Sequence, residues 1–85
     1  MESEQQFYAR FGERLKKVRK ERGMTQAELA QKMQTSINSV RLYEAGNRSP
    51  SMATLNKMAE VLGVNVTWLF HGDATEAVSY THLRA

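Results

Sequence analysis

Apolar side chains recur every three or four residues from Phe7 to Leu62, and no stretch alternates strictly between apolar and polar positions. Successive residues of an α-helix are about 100° apart, so this spacing places apolar groups on one face of a helix. The pattern therefore predicts four amphipathic helices. Their apolar stripes consist of Phe7, Phe11, Leu15 and Val18; Ala27, Leu29, Ala30 and Met33; Val40 and Tyr43; and Leu55, Met58, Ala59 and Leu62.

Capping residues predict where the helices begin and end. Thr25 can accept a hydrogen bond from a backbone N–H of the next turn, and Glu28 completes a capping box with it. Serine and asparagine can cap later helices, and glycine can adopt the left-handed conformation that ends them. We expect helices over about 7–22, from Thr25 onward, over 37–45 after Ser36, up to Leu62 after Ser51, and a short fifth helix after Asn65.

Length and composition indicate one small domain. A chain of 85 residues with 41% hydrophobic content can form one compact helical bundle and no second unit. Residues 1–6 are polar and are expected to form a flexible N-terminus, and residues 7–72 the domain. Residues 73–85 carry neither a helical stripe nor strand alternation, so they are expected to be a disordered or extraneous tail.

The third predicted helix has an outward face suited to reading DNA. Val40 and Tyr43 lie on its packed side, and the opposite side combines an amide, a guanidinium and aliphatic groups. An amide can pair with adenine, a guanidinium with guanine, and an aliphatic carbon can contact the thymine methyl group. The predicted base-contacting residues are Ile37, Asn38, Arg41 and Leu42. For Arg41 the alternative is a phosphate contact, because its long side chain can also reach the DNA backbone.

Three sequence segments support a family resemblance. They are TQAELAQKM, SxxxVxxYExG and PSxxTLxKMAEVLGVNVTWLFHG. Together they resemble the Cro and phage-repressor type of helix-turn-helix domain, also called the XRE type, over roughly Phe7 to Gly72. The resemblance implies an all-α fold: a compact five-helix lambda-repressor-like DNA-binding domain with a helix-turn-helix. Gln34 stands where that family usually has glycine, so the turn is expected to carry a side chain at positive φ.

The resemblance also implies roles for residues outside the outward face of the third predicted helix. It implies a structural ion pair between Arg19 and Glu44, since a carboxylate beside DNA needs a cationic partner. Gln26 lies in the first turn of the second helix, where free N–H groups favour an anion, and it is expected to contact a phosphate. The alternative is an exposed helix-forming residue. Further phosphate contacts are expected from Ser36, Lys17 and Arg48.

The charge of the chain is concentrated near its start. The formal net charge is +3, and seven of the twelve Lys and Arg residues lie between Arg10 and Arg22. Such a run is either an ordinary solvated helix face or a surface that attracts phosphates. Beside a helix-turn-helix the second interpretation is favoured.

The fifth predicted helix carries three adjacent large apolar groups, Trp68, Leu69 and Phe70. Trp68 is expected mainly in the core, but three such groups on one short helix cannot all face inward. The three are therefore a candidate dimer surface.

Several function classes are excluded by composition. There is no cysteine, and with two histidines no metal site or other cofactor is expected. No paired carboxylates, nucleophile with a base, or glycine-rich phosphate loop indicates an enzyme. No apolar run reaches the roughly 20 residues of a membrane span, and the N-terminus is not a signal peptide. The chain fits a reducing cytoplasm, with no small-molecule substrate evident.

Two functions remain after these exclusions. The first is a sequence-specific regulator of transcription that binds double-stranded DNA as a homodimer, most simply a phage- or prophage-type repressor. The second is a protein-interaction module, such as an antitoxin or bridging factor, with secondary DNA binding. The outward face of the third helix favours the first, because a protein-binding surface would favour contiguous aromatic groups.

Overall fold

The computed structural model describes residues 2–72, and within that range it contains five α-helices and no β-strand. The predicted all-α, lambda-repressor-like fold is confirmed. None of the described helices is long and apolar enough to cross a membrane. The tail predicted over 73–85 lies outside the described residues. The helices are α1 (Glu4–Glu21), α2 (Gln26–Met33), α3 (Ile37–Ala45), α4 (Met52–Leu62) and α5 (Val66–His71).

Helix α1 begins three residues earlier than the predicted start at Phe7. Ser3 caps it: its Oγ accepts a hydrogen bond from the Gln6 backbone N–H at 3.1 Å, and the Gln6 side chain accepts one from the Ser3 N–H at 2.9 Å. The apolar stripe starts only at Phe7, so periodicity alone missed this polar first turn. The segment that the sequence analysis expects to be flexible thus includes the capped first turn of α1.

The remaining helix starts agree with the predicted caps. The Thr25 hydroxyl and the Glu28 carboxylate form a reciprocal capping box, and Ser36, Ser51 and Asn65 each accept a hydrogen bond from a backbone N–H three residues later. Gln34 ends α2 at φ 58°, the predicted positive φ for a side-chain-bearing residue. Helices α2 and α3 are thus joined by a tight turn that fixes their relative direction.

Helix α1 packs across α3 at a point where a side chain would not fit. A Cβ on Gly12 would lie 2.6 Å from the carbonyl oxygen of Tyr43, which is closer than real Cβ atoms approach. Glycine therefore permits direct backbone contact between the two helices. Around this crossing the core is filled by side chains from all five helices, including Phe11, Leu29, Val40, Met58 and Leu69.

Arg14 in α1 and Arg22, the residue that follows α1, tie the last two helices to the bundle. Arg14 donates from Nε to the Leu69 carbonyl at 3.0 Å and from Nη2 to the Phe70 carbonyl at 2.7 Å. Arg22 donates from Nε to the Leu62 carbonyl at 2.7 Å. Both contacts satisfy carbonyl groups near helix C-termini, which have no partner within their own helix.

Candidate nucleic-acid interface

One side of α3 faces solvent and brings the predicted base-contacting residues together. Asn38 and Arg41 are exposed, Ile37 is 36% exposed, and Leu42 is half-buried. Neither the Asn38 amide nor the Arg41 guanidinium has a hydrogen-bond partner within residues 2–72. The face thus offers two sets of free donors between aliphatic groups, a combination that can interact with base edges. The opposite side of the helix is buried and contains Ser39, Val40, Tyr43 and Glu44.

A buried ion pair holds α3 against α1. Arg19 donates from Nε to Glu44 Oε2 at 2.6 Å and from Nη2 to Glu44 Oε1 at 3.1 Å, and the two side chains are 7% and 4% exposed. Arg19 also donates from Nη1 to the Met24 carbonyl at 2.8 Å, beside the start of α2. This guanidinium therefore connects the entry to α2 with the end of α3 and neutralises a carboxylate at the candidate interface.

Gln26 belongs to the same network, which the sequence did not indicate. Its Nε2 donates to Glu44 Oε1 at 3.0 Å, and its side chain is half-buried. Because only one hydrogen of the amide is engaged, the other hydrogen and Oε1 stay available at the first turn of α2. The phosphate contact predicted for Gln26 remains a prediction. Any such contact would use an amide already oriented by Glu44.

Ser36 and Arg48 meet at a third side chain, Ser39. The Ser36 Oγ accepts from the Ser39 backbone N–H at 3.1 Å and donates to the Ser39 Oγ at 3.0 Å. Arg48, in the loop after α3, donates from Nη1 to the same Ser39 Oγ at 3.0 Å. Its guanidinium carbon lies 5.5 Å from the centre of the Tyr43 ring. Sequence reasoning missed Ser39, whose only signal is its position three residues after a helix cap.

The basic surface of α1 is smaller than its composition suggests. Three of the seven cationic side chains between residues 10 and 22 donate to groups inside the domain: Arg14, Arg19 and Arg22. Arg10 forms an exposed ion pair with Glu2 at 3.1 Å. Lys16, Lys17 and Lys20 are exposed and have no ion-pair partner in the described part of the chain. The predicted phosphate contact of Lys17 is compatible with this exposure and is not tested by it.

One of the three residues proposed for a dimer surface on α5 is not accessible at the protein surface. Leu69 is fully buried in the core, so it cannot contact a partner from this position. Trp68 and Phe70 are half-buried and remain candidates. The Phe70 ring packs against Phe7 at a centroid distance of 5.0 Å and Phe11 at 5.8 Å. Within residues 2–72, no cluster of three His, Cys, Asp or Glu side chains could hold a metal ion.

Comparison with known proteins gives one family match and related regulators. A family model described as helix-turn-helix matches residues 15–69. The chain is 35% identical over 68 residues to the uncharacterized HTH-type transcriptional regulator YqaE of Bacillus subtilis (strain 168), covering 80% of the chain and 59% of that protein. It is 39% identical over 56 residues to the immunity repressor protein of Bacillus phage phi105, covering 66% of the chain and 39% of that protein.

A solved structure has the same arrangement of helices. The crystal structure of the restriction-modification controller protein C.AhdI from Aeromonas hydrophila matches with a TM-score of 0.76 at 28% identity, covering 81% of this chain and all of that one. In contrast, the chain spans 59% and 39% of the lengths of the two curated relatives. Those relatives therefore contain a large part that has no counterpart in the matched region.

Proposed function

Because the chain belongs to the XRE-type helix-turn-helix family, we propose that it regulates transcription by sequence-specific binding to double-stranded DNA. The observation that carries this proposal is the exposed face of α3, where Asn38 and Arg41 present donors that have no partner in the described residues 2–72. An α-helix fits the major groove, whose base edges each present a distinct pattern of donors and acceptors. The proposed activity is binding, without a catalysed reaction.

In the proposed mechanism, one group of residues recognises the bases and another group binds the phosphates. Helix α3 lies in the major groove, where Asn38 and Arg41 contact base edges and the Ile37 and Leu42 side chains contact methyl groups or exclude water. Phosphate contacts fix the position of the domain on the duplex without reading its sequence. Their proposed donors are the Gln26, Lys17 and Arg48 side chains and the backbone N–H of Ser36, since the single hydroxyl hydrogen of Ser36 already bonds to Ser39.

Regulation is proposed to be repression by a homodimer. Two copies related by a two-fold axis would place their α3 helices in successive major grooves, about 34 Å apart, on an inverted-repeat operator. A bound dimer would block access of RNA polymerase to an overlapping promoter in the cytoplasm. The similarity to a phage immunity repressor supports repression, and the exposed parts of Trp68 and Phe70 support a contact between copies.

Selection of duplexes from a random pool, followed by sequencing, tests this function. We expect enrichment of one motif arranged as an inverted repeat, with half-sites one helical turn apart. A motif without repeat symmetry would contradict the dimer and leave the DNA-binding proposal intact. If the folded protein enriched no motif and bound unrelated duplexes no better than an acidic polymer, sequence-specific regulation would be wrong.

A further inference from the structure

The loop that follows α3 folds back toward the start of this helix. As a result, the guanidinium of Arg48 lies against the first turn of α3. Arg48 comes three residues after the end of α3 at Ala45, but its Nη1 is 3.0 Å from the Oγ of Ser39, the third residue of the helix. A helix of nine residues is about 13 Å long, so the side chain runs back along much of α3. The location of this charge is set by the bond to Ser39 as well as by the loop.

The Ser39 hydroxyl is well suited to hold this guanidinium. It is 9% exposed, and its oxygen accepts from both the Arg48 guanidinium and the Ser36 hydroxyl. A hydroxyl oxygen has two lone pairs, so these two donors use its full acceptor capacity. Tyr43, one helical turn after Ser39, places its ring beneath the guanidinium at 5.5 Å. A cation over an aromatic face is attracted by the ring's electrons.

These two contacts leave part of Arg48 free. Its Nε and Nη2 have no acceptor within residues 2–72, and the residue is exposed overall. A guanidinium with one side anchored and another side open can present paired N–H groups to a phosphate oxygen. An unanchored arginine would lose more side-chain entropy on binding, because it must adopt one conformation among many.

We propose that Ser39 is a positioning residue for DNA binding, which orients Arg48 toward a backbone phosphate before the duplex arrives. The proposal rests on the proposed function and deepens it. Ser39 touches no DNA in this account. Ser39 acts by holding the Arg48 guanidinium, which the Tyr43 ring also contacts. Because Ser39 also bonds to Ser36, the N-cap of α3, the phosphate contact of Arg48 is coupled to the start of that helix.

A double-mutant cycle on binding to a mixed-sequence duplex tests the coupling. We expect Ser39→Ala to weaken binding by about five- to tenfold, which lies within the usual range for the loss of one hydrogen bond. In an Arg48→Ala background the same substitution should have no further effect. Thr67→Ala, which removes an exposed hydroxyl on α5, serves as the control and should leave affinity unchanged in both backgrounds.

The salt dependence of DNA binding shows whether a variant misplaces Arg48 or removes a charge, and the double-mutant cycle shows whether it weakens the fold. Ser39→Ala keeps every cation, so the slope of log K against log salt should equal that of the wild type, whereas Arg48→Ala should reduce its magnitude by about 0.9. An equal loss from Ser39→Ala in both backgrounds would overturn the proposal, because the effect would then come from helix stability. No loss in either background would overturn it as well.

Side-chain relaxation of Arg48 in the free protein gives a test that needs neither DNA nor a variant. We expect the Nε–H of Arg48 to be more ordered on the ps–ns timescale than that of Arg41, which has no protein partner in the described part. Equal mobility of the two would overturn positioning. A wild type that binds no duplex would instead refute the proposed function, and the relaxation data would still report whether Ser39 holds the arginine.

Discussion

At the scale of single residues, Glu44 illustrates how the domain keeps a carboxylate beside a surface proposed to face phosphates. Its two oxygens accept from Arg19 and Gln26, so the negative charge is compensated within the protein. A buried pair of this kind contributes little compared with an apolar pair of similar shape. Removing one partner is costly, because the other charge remains buried without compensation.

Glu44→Gln should therefore destabilise the domain by about 3 kcal/mol, within the range for breaking a buried ion pair. Urea unfolding followed by circular dichroism measures this change as a shift of the midpoint. The matched control is Glu28→Gln, which neutralises an exposed carboxylate but keeps a side chain that can complete the capping box. Equal stability of the two variants would show that the Arg19 pair is not needed for folding.

Gln34 is the one non-glycine residue at positive φ within residues 2–72. A side chain in the left-handed region costs about 1–2 kcal/mol; glycine avoids this cost, but its larger unfolded-state entropy cancels part of the gain. Gln34→Gly should raise the free energy of unfolding by about 0.5–1 kcal/mol. Thermal melting should show an increase of several degrees, whereas Gln34→Ala, which keeps the strain, should melt close to the wild type.

At the scale of elements, the short turn between α2 and α3 sets the angle at which α3 is presented, and α1 supports it from behind through Gly12 and Arg19. On the outward face of α3, the Asn38 and Arg41 side chains are exposed and do not contribute to the core. Substitutions of these two residues should change DNA recognition without changing stability, and substitution of Val40, which is fully buried on the opposite face, should do the reverse.

Asn38→Ala tests whether the exposed face of α3 recognises individual bases. We expect the variant to lose about 1–3 kcal/mol of discrimination at one operator position while its affinity for unrelated duplexes stays nearly constant. Competition binding with single-base operator variants measures the effect. Lys57→Ala, an exposed substitution on α4, should leave the discrimination unchanged. A uniform loss over all sequences would assign Asn38 to a phosphate instead of a base.

Helix periodicity and caps were sufficient to predict α2, α3 and α4, because each has both an apolar stripe and a capping side chain. They were insufficient where burial depends on tertiary packing. Leu69 and Phe70 look alike on a short helix, and only the tertiary packing buries the first completely and leaves the second half-buried. Arg14 and Arg22 look like solvated residues in the sequence, since nothing local shows that carbonyl groups 40 to 56 positions away will accept their hydrogen bonds.

At the scale of the whole molecule, the net charge of +3 understates how charge is distributed. The Arg14, Arg19 and Arg22 side chains donate to groups inside the domain. The lysines Lys16, Lys17 and Lys20 are exposed and have no ion-pair partner within residues 2–72. Counterion release should therefore depend on fewer groups than the composition suggests.

DNA affinity should fall steeply between about 50 and 200 mM salt, since each neutralised phosphate adds roughly 0.9 to the magnitude of the slope. Fluorescence anisotropy with a mixed-sequence duplex measures it. Lys17→Gln should reduce that magnitude by about 0.9 if Lys17 contacts a phosphate. Lys57→Gln serves as the control on α4. An affinity that did not change with salt would contradict every phosphate contact proposed for the domain.

The hydrogen bonds from Arg14 to α5 also have a consequence for synthesis on the ribosome. The acceptors of Arg14 lie 55 and 56 residues further along the chain. In contrast, Glu44 lies only 25 residues after its partner Arg19. At about 5–20 residues per second, translation needs roughly 3 to 10 s to supply the later partner. Glu44 is made 25 residues before Leu69, so for the last roughly 1 to 5 s of that interval α1 can pair with α3 while Phe7 and Phe11 still lack the Phe70 ring. A chaperone that binds nascent chains would then meet the Phe11 ring, which is fully buried in the finished domain.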